Sequence, residues 1–393
     1  NKMVTPAPHS ASFRVFRAIS CSIIYHHLCV DSIQVKTKPN FYSVSVGAGL
    51  LRRAGREIKR VLPAQSSRVF LVTSPNVRRH WGAVLEKSLQ QARLSYEILE
   101  AHDGEPAKRL HTVEQLAEQL VDARADRRSV IVAFGGGVIG DSAGFLAAIF
   151  MRGIPVIQIP TTVVAQLDAS IGGKTGVNLR GGKNLVGAFH QPRAVLVDPE
   201  ILQTLDQREF RSGLFEALKC GVIRDRALFE FMGKNAGKIL DRNAKAVQRI
   251  IADSIRVKAQ VVSADEKESG LRRILNFGHT IGHALEAATN YSHFLHGEAV
   301  GWGMMAATMI ARDADFCGEK TAAQILSSIQ AYGPLPPVTC GVDDVLGLLS
   351  ADKKTVAGAV HFILPQRIGK VTISSDVPAH IVRSAVESIT NHA

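Results

Sequence analysis

The run Val130-Ile-Val-Ala-Phe134 leads without a charge into Gly135-Gly-Gly-Val-Ile-Gly-Asp141 and then into Ser142-Ala-Gly-Phe-Leu-Ala-Ala-Ile149. A short apolar run of this kind reads as a strand buried on both faces, the situation of parallel strands covered by helices. Glycines at a strand-to-helix junction let backbone amides approach a pyrophosphate, and the helix N-terminus then faces the negative charge. Many turns contain glycines, but this position favours nucleotide binding over a plain turn. The spacing is not G-x-G-x-x-G, so the standard dinucleotide fold is not assigned from it.

The surrounding sequence repeats the alternation. Ile33 to Thr37 and Tyr42 to Val46 alternate apolar and polar residues around Lys38-Pro-Asn40 and read as a β-hairpin. Strands are expected at Arg68 to Thr73, Ser95 to Leu99, Val156 to Thr162 and Val195 to Asp198, with helices at Val77 to Ala92 and Thr112 to Ala123. Strands alternating with helices indicate an α/β layer with a parallel sheet. Gly172-Gly-Lys-Thr-Gly-Val-Asn178 and Gly181-Gly-Lys-Asn184 read as loops placing a lysine beside exposed backbone, suited to anionic oxygens. The P-loop spacing is absent from both.

After Pro199 the character changes. Helical patterns dominate from Arg208 onward, apart from a hairpin around Val360 to Leu364 and Val371 to Ile373. A length of 393 residues suits about two domains. The expected division is residues 1–30 as an extension outside the fold, 31–204 as an α/β domain and 205–393 as a mainly helical domain. The first 30 residues, with Arg14, Arg17 and an apolar run from Ala18 to Ile24, only weakly suggest a targeting peptide, because Tyr25, His26 and His27 interrupt the run.

The helical half carries a histidine cluster. Leu275 to Val300 holds His279, His283, His293 and His296 out of 14 histidines. His279 and His283 share one helical face by spacing, a common way to offer two nitrogens to a divalent metal. A single histidine is more often a satisfied core residue, whereas the cluster favours a metal site if a carboxylate completes it. Glu216, three residues before Lys219 in an apolar helical segment, is that candidate; Asp265, Glu266 and Glu268 compete with it.

The net charge of +12 comes from scattered residues without a finger-like or RNP-type motif, which suits phosphorylated metabolites better than nucleic acid. No apolar window is long enough for a membrane span. Five cysteines without a Cys-x-x-Cys suit a reducing, cytoplasmic setting.

Together these motifs resemble the 3-dehydroquinate synthase family of sugar-phosphate cyclases. The carriers are Gly104-Glu-Pro-Ala-Lys108, Gly135 to Asp141, Met151-Arg-Gly-Ile154, Pro160-Thr-Thr162, Asp168 to Asn178, Gly182 to Gly187, Phe189-His-Gln-Pro192, Leu275 to His283 and His296-Gly-Glu298. The resemblance covers the chain from about Ser32 to its end. It implies a Rossmann-like NAD-binding domain with a parallel sheet, a mainly α-helical metal-binding domain, and an active site between them. It also implies NAD, a divalent metal (zinc or cobalt), a phosphorylated sugar acid as substrate, and a homodimer.

By the same resemblance Glu216, His279 and His296 match the metal ligands, and His283 a position near the substrate. Asp103, Glu105, Lys108, Gly136, Gly137, Val138, Asp141, Thr161, Thr162 and Thr204 match NAD contacts. Lys174 and Lys183 match positions contacting NAD or substrate. Arg152, Asp168, Asn184, Lys219, Lys258, Arg272 and Asn276 match substrate positions, and one of Lys353 and Lys354 should join them. Phe215, where the family usually has a small residue, and Cys220, where tyrosine is usual, depart from the pattern.

The implied reaction takes 3-deoxy-D-arabino-heptulosonate 7-phosphate to 3-dehydroquinate and phosphate in the shikimate route to aromatic amino acids. It proceeds through transient oxidation by NAD, phosphate elimination, re-reduction and intramolecular aldol closure. Three readings compete with it: a sister cyclase acting on sedoheptulose 7-phosphate or a glucose phosphate, a metal-dependent glycerol or alcohol dehydrogenase, and a non-catalytic nucleotide- or nucleic-acid-binding protein.

Overall fold

The computed structural model describes residues 30–38, 41–63, 66, 68–351 and 360–390. In chain order the strands are β1 (Asp31–Lys36), β2 (Phe41–Val46), β3 (Val69–Thr73), β4 (Tyr96–Glu100), β5 (Val130–Gly135), β6 (Val156–Pro160), β7 (Lys174–Leu179), β8 (Gly182–Phe189), β9 (Ala194–Val197), β10 (Phe362–Arg367) and β11 (Lys370–Ser374). Seven of them form one sheet in the order β1-β2-β9-β6-β5-β3-β4. β1 pairs antiparallel with β2, and every other neighbouring pair is parallel.

The glycine-run strand, β5, lies inside this sheet and is buried at every position. Successive side chains of a strand point to opposite faces. Accordingly Ile131 and Ala133 join one apolar layer with Leu116 and Leu146, while Val130, Val132 and Phe134 join another with Ile58 and Leu85. Helices Leu110–Asp122 and Gly137–Ile149 cover the first face, and Ala54–Val61 and Ala83–Gln91 the second. Ala54–Val61 is a helix the sequence reading passed over. Its apolar positions are few and set among charges, yet Ala54 and Ile58 are fully buried.

β4 and β5 flank β3 on opposite sides, so the direction in which the sheet grows reverses there. In open α/β sheets the carboxyl ends of the strands at such a reversal frame the ligand crevice. Ser74 follows one of these ends, and Gly136 follows the other.

Two expectations need adjusting. The Gly-Gly-Lys segments are loops only in part: Gly172, Gly173 and Gly181 lie outside the strands, but Lys174 and Lys183 stand on β7 and β8, which pair as an antiparallel hairpin. The hydrophobic alternation that marks a strand is weak here because much of its packing is through backbone. Gly176 faces Gly187 across the ladder, and a Cβ on Gly187 would lie 2.1 Å from the Thr175 carbonyl oxygen. The first 29 residues, the Pro39-Asn40 turn, and Lys353 and Lys354 lie outside the described residues.

The second half is helical, with the β10–β11 hairpin as expected. Helices Gln207–Ile223 and His296–Asp313 run through its centre and are buried over most of their length. Helices buried all round belong in a core. One apolar cluster joins them to Val35, Val44 and Val195 of β1, β2 and β9, so this half packs directly on that end of the sheet.

Candidate active site

Glu216, His279 and His296 come from three separate helices. Gln207–Ile223 is capped by the Asp206 carboxylate, which accepts from the Arg208 and Glu209 amides, and it carries Glu216 into the interior. His279 and His296 each stand at the first position of a helix. The first helix follows Gly278 in the left-handed region (φ 82°); the second is closed by Glu298, whose Oε2 accepts from the Leu295 amide at 2.8 Å. The two helices approach so closely that a Cβ on Gly303 would sit 1.9 Å from the Gly278 carbonyl oxygen. Gly303→Ala is therefore expected to cost about 1–3 kcal/mol or more through overpacking. It should also push His279 and His296 apart and so lower the affinity for any cation held between them. Chemical denaturation and chelator competition would measure the two effects.

The candidate ligand atoms of the three residues all lie within 4.8 Å of one another. Nε2 of His279 is 3.6 Å and Nε2 of His296 3.7 Å from Oε1 of Glu216. Each Nδ1 has an acceptor: the Phe277 carbonyl at 3.2 Å for His279 and Oε2 of Glu286 at 3.3 Å for His296. Such a partner keeps the proton on Nδ1 and turns the Nε2 lone pair toward Glu216. Glu216 is 1% exposed; Lys219 is in ion-pair contact with it, but neither carboxylate oxygen accepts a well-aligned hydrogen bond. A buried carboxylate facing two imidazole lone pairs is a donor set that fits a cation.

Burial, reinforced by the Lys219 charge, pushes the His279 imidazole well below its ordinary pKa, into the neutral form that ligates metals. For His296 burial is outweighed by the hydrogen bond and charge of Glu286, which lift it above its ordinary value. His283, Glu286 and His296 form a second close set. There both carboxylate oxygens are engaged, Oε1 by Lys183 at 3.0 Å and Oε2 by His296. The Glu216 set is thus the better candidate, and the structure places His296 in it and His283 beside it, with the His283 ring 5.3 Å from that of His279.

One buried cation, Lys219, touches this set, and two more stand with Asp168 and Gly172. Lys219, Lys258 and Arg272 are each no more than 6% exposed. Lys258 Nζ donates to the Asp168 carbonyl and to Asp168 Oδ1, both at 2.6 Å. Burial alone would raise the Asp168 carboxyl; the Lys258 and Lys219 ammonium groups outweigh it and hold the acid well below the usual carboxylate range. Arg272 donates to the carbonyls of Gly172 and Glu266. Lys174 pairs with Glu268, which also accepts from Asn276 Nδ2 at 2.9 Å. Concentrated ammonium, guanidinium and amide donors of this kind hold phosphate or carboxylate oxygens.

At the glycine-rich end, Gly136 caps the Gly137–Ile149 helix and lies against Thr162, where a Cβ on the glycine would be 3.1 Å from the threonine methyl. The Thr161 amide donates to the Gly135 carbonyl at 3.0 Å, and Gly137 and Val138 are partly exposed in the first turn. Lys108 Nζ reaches Asp141 Oδ2 at 2.6 Å and Asn184 Oδ1 at 2.5 Å. Burial pushes the Asp141 carboxyl up against the pull of Lys108. Asp103 accepts from the Ser74 hydroxyl at 3.1 Å, joining the ends of β3 and β4. Glu105 accepts from Asn178 of β7 at 2.7 Å.

Some expected residues stand elsewhere. Asn184 groups with Lys108 and Asp141 at the glycine-rich end rather than with the cations around Asp168. Arg152 is exposed, follows Met151 in a turn where both have positive φ, and makes no hydrogen bond or ion pair to the cluster among the described residues. Thr204 bonds the Trp81 indole at 2.8 Å and the Ile201 carbonyl, not the glycine turn. The carboxylates competing with Glu216 are used otherwise. Asp265 accepts from the Ser269, Gly270 and Arg272 amides, Glu266 from Gln191 and the Lys38 amide, and Glu268 from Lys174 and Asn276.

Sequence reasoning missed two residues. Tyr42 accepts from the Gly172 amide at 2.9 Å, a contact with no sequence signal. Glu286 is seven residues after His279, and that helical spacing could have flagged it. The unusual Phe215 is accommodated by Gly301, where a Cβ would be 3.3 Å from the ring. Cys220 is buried, which pushes its thiol up to about 12.

Comparison with known proteins identifies the family of the chain. The model for the 3-dehydroquinate synthase N-terminal region matches residues 98–212, and that for the C-terminal region matches residues 213–355. The 3-dehydroquinate synthase of Koribacter versatilis is 51% identical over 360 residues, covering 92% of this chain and 98% of that protein. That of Solibacter usitatus is 49% identical, covering 91% and 99%. Among solved structures, a 2-epi-5-epi-valiolone synthase from Streptomyces hygroscopicus with NAD⁺ and Zn²⁺ bound superposes with TM-score 0.83 at 27% identity, covering 91% of this chain and 99% of that one. A 2-deoxy-scyllo-inosose synthase complexed with carbaglucose-6-phosphate, NAD⁺ and Co²⁺ gives 0.82 at 26%, covering 91% and 100%. A probable glycerol dehydrogenase from Sinorhizobium meliloti, at 15% identity and TM-score 0.62, shares the fold. With both family models matched in order, and relatives about half identical along nearly their whole length, the chain belongs to the 3-dehydroquinate synthase family.

Proposed function

We propose that the protein is a 3-dehydroquinate synthase, a carbon–oxygen lyase that converts 3-deoxy-D-arabino-heptulosonate 7-phosphate to 3-dehydroquinate and phosphate. The observation that carries this reading is the Glu216–His279–His296 set, with Glu216 and His279 buried and His296 partly exposed, beside the buried Lys219 that pairs with Glu216 and the nearby Lys258–Asp168 pair. A sugar acid phosphate presents a carboxylate, a phosphate and vicinal hydroxyls, and this site offers complementary charge for all three. A zinc or cobalt ion held by Glu216, His279 and His296 would supply Lewis-acid polarisation, and NAD⁺ on the Gly136–Gly137 turn would supply a reversible hydride acceptor.

The chain's own residues do the rest. Lys174, Lys258 and Arg272 bind the anionic groups, with Asn276 orienting them; Lys174 and Asn276 exchange Glu268 for substrate as it enters. Asp168 holds the Lys258 ammonium in place. Lys219, paired with Glu216, keeps positive charge at the reacting oxygens. His283, next to the Glu216 set, is placed to move a proton on the substrate side. Asn184 acts at the glycine-rich end, where it holds Lys108, and the exposed Arg152 is free to meet an anionic group of the substrate from outside the cluster. Asp103, Glu105, Lys108, Val138, Asp141, Thr161, Thr162 and Lys183 line the NAD site, and Thr204 stands apart from it at Trp81. Low exposure of the central groups excludes water while phosphate leaves.

The division near residue 204 separates the NAD half from the metal half, and the protein works as a homodimer. Cys220, Cys317 and Cys340 are free thiols, which suits a reducing compartment such as the cytoplasm. No helix among the described residues is long and apolar enough to cross a membrane.

The test supplies the heptulosonate phosphate with NAD⁺ and zinc or cobalt. Phosphate and dehydroquinate should appear in equal amounts without net NADH. Steady NADH accumulation would mark a dehydrogenase instead. Turnover of sedoheptulose 7-phosphate alone would mark a sister cyclase, and no turnover with salt-sensitive DNA binding would defeat the enzyme reading.

A further inference from the structure

Glu286 takes no part in the chemistry above, yet two functional groups meet on it. It lies on helix His279–Ala288, and its side chain is 3% exposed. One oxygen, Oε2, is 3.3 Å from Nδ1 of His296. The other, Oε1, accepts from Lys183 Nζ at 3.0 Å. Lys183 stands on β8, where it also lies 3.9 Å from Glu105 Oε1 and 4.5 Å from the centre of the Tyr291 ring. Its chain neighbour Asn184 is bonded to Lys108 and, through it, to Asp141 in the first turn after the glycine run. A line of polar contacts thus runs from the glycine-rich turn along the hairpin to Glu286, and from there to His296 and Glu216.

A buried carboxylate is tolerated when both oxygens are satisfied. Here they are satisfied by groups from opposite sides of the site. An imidazole that donates Nδ1–H to a carboxylate is fixed in tautomer and ring orientation, and its Nε2 becomes a better ligand. The same carboxylate neutralises Lys183, so the position of the β7–β8 hairpin depends on the group that orients His296.

We propose that Glu286 is a positioning residue that presents His296 Nε2 toward Glu216 and, by holding Lys183, ties the cofactor-side hairpin to that donor set, coupling metal binding to NAD⁺ binding. This inference rests on the reading of Glu216, His279 and His296 as a metal site. Coupling of two ligands is reciprocal, so zinc raises NAD⁺ affinity by the factor by which NAD⁺ raises zinc affinity.

The test uses the full chain, wild type and the Glu286→Gln and Glu286→Asp variants. Zinc affinity is read by competition with a chromophoric chelator, and NAD⁺ affinity by calorimetry with and without zinc. Wild-type protein that binds no zinc would defeat the metal reading itself, separately from the role of Glu286. Given wild-type binding, Glu286→Gln should weaken zinc about 10–100-fold, and Glu286→Asp by less, in variants whose metal-free form still unfolds in one cooperative transition. In wild type, zinc should change the NAD⁺ dissociation constant by about fivefold or more, and in Glu286→Gln that factor should fall toward one. Zinc affinity within about twofold of wild type, or an undiminished zinc effect on NAD⁺, overturns the proposal. If Glu286→Gln does not fold, long-range ¹H–¹⁵N correlation on zinc-loaded wild type decides. A protonated Nδ1 with Nε2 on the metal supports the role, and a protonated Nε2 overturns it.

Discussion

Glu216→Gln is expected to lower turnover of the heptulosonate phosphate by at least about a thousandfold, the rate equivalent of roughly 4 kcal/mol. Glutamine keeps the shape of the side chain but removes the one carboxylate from a set whose other two members are imidazoles. Zinc content and chelator competition should show the ion lost together with activity. The same change leaves Lys219 buried without its ion-pair partner, so part of the loss could come from instability. His279→Gln separates the two effects, because it removes a donor and leaves the Glu216–Lys219 pair in place. Near-normal turnover by either folded variant with no metal bound would sink the assignment.

The second large effect concerns stability. Lys258→Met strips Asp168 of the ammonium that bonds both its carboxylate and its backbone carbonyl. Removing one partner of a fully buried pair costs about 3–5 kcal/mol; Lys258 is buried but Asp168 is partly exposed, so denaturant unfolding at neutral pH should show a smaller loss of about 2–3 kcal/mol. The pH dependence has a defined sign. The Asp168 acid is held below its ordinary value in the folded protein. Its contribution is therefore present above the unfolded carboxylate pKa of about 4 and fades as pH falls toward the folded value. In Lys258→Met the unpaired Asp168 carboxylate gains a proton more easily, so the variant should approach wild-type stability as the solution is acidified below about pH 4. A stability gap that stays constant from neutral pH into acid would show that the pair is not held charged.

Much of the architecture could be read from local pattern. The apolar Val130 to Phe134 run, the glycines after it and the Ala-rich segment beyond are each a local constraint, and each is realised as β5, its turn and the Gly137–Ile149 helix. The β7–β8 hairpin was not readable in this way, because glycine backbone contacts leave little apolar alternation. Ala54–Val61 was missed for a related reason: two fully buried apolar residues among charges are too few to declare a helix, although they suffice to anchor one.

For the candidate site, sequence determined the kinds of donor. The histidine spacing, the lone Glu216 in an apolar helix and the scattered lysines were all visible, and motif order narrowed them to a family. Which donors meet was decided only by tertiary structure. His279 and His283 are adjacent on one helix, yet His279 pairs with His296 and Glu216 because three helices converge there, two of them in contact at Gly303 and Gly278. Asp265, Glu266 and Glu268 look as able as Glu216 on paper. They are lost to the set because backbone amides and side chains of their own surroundings use them first. The physical reason is that helix and strand periodicities act over a few residues, whereas a ligand set depends on close packing between segments far apart in the chain, and that packing is fixed by the whole core at once.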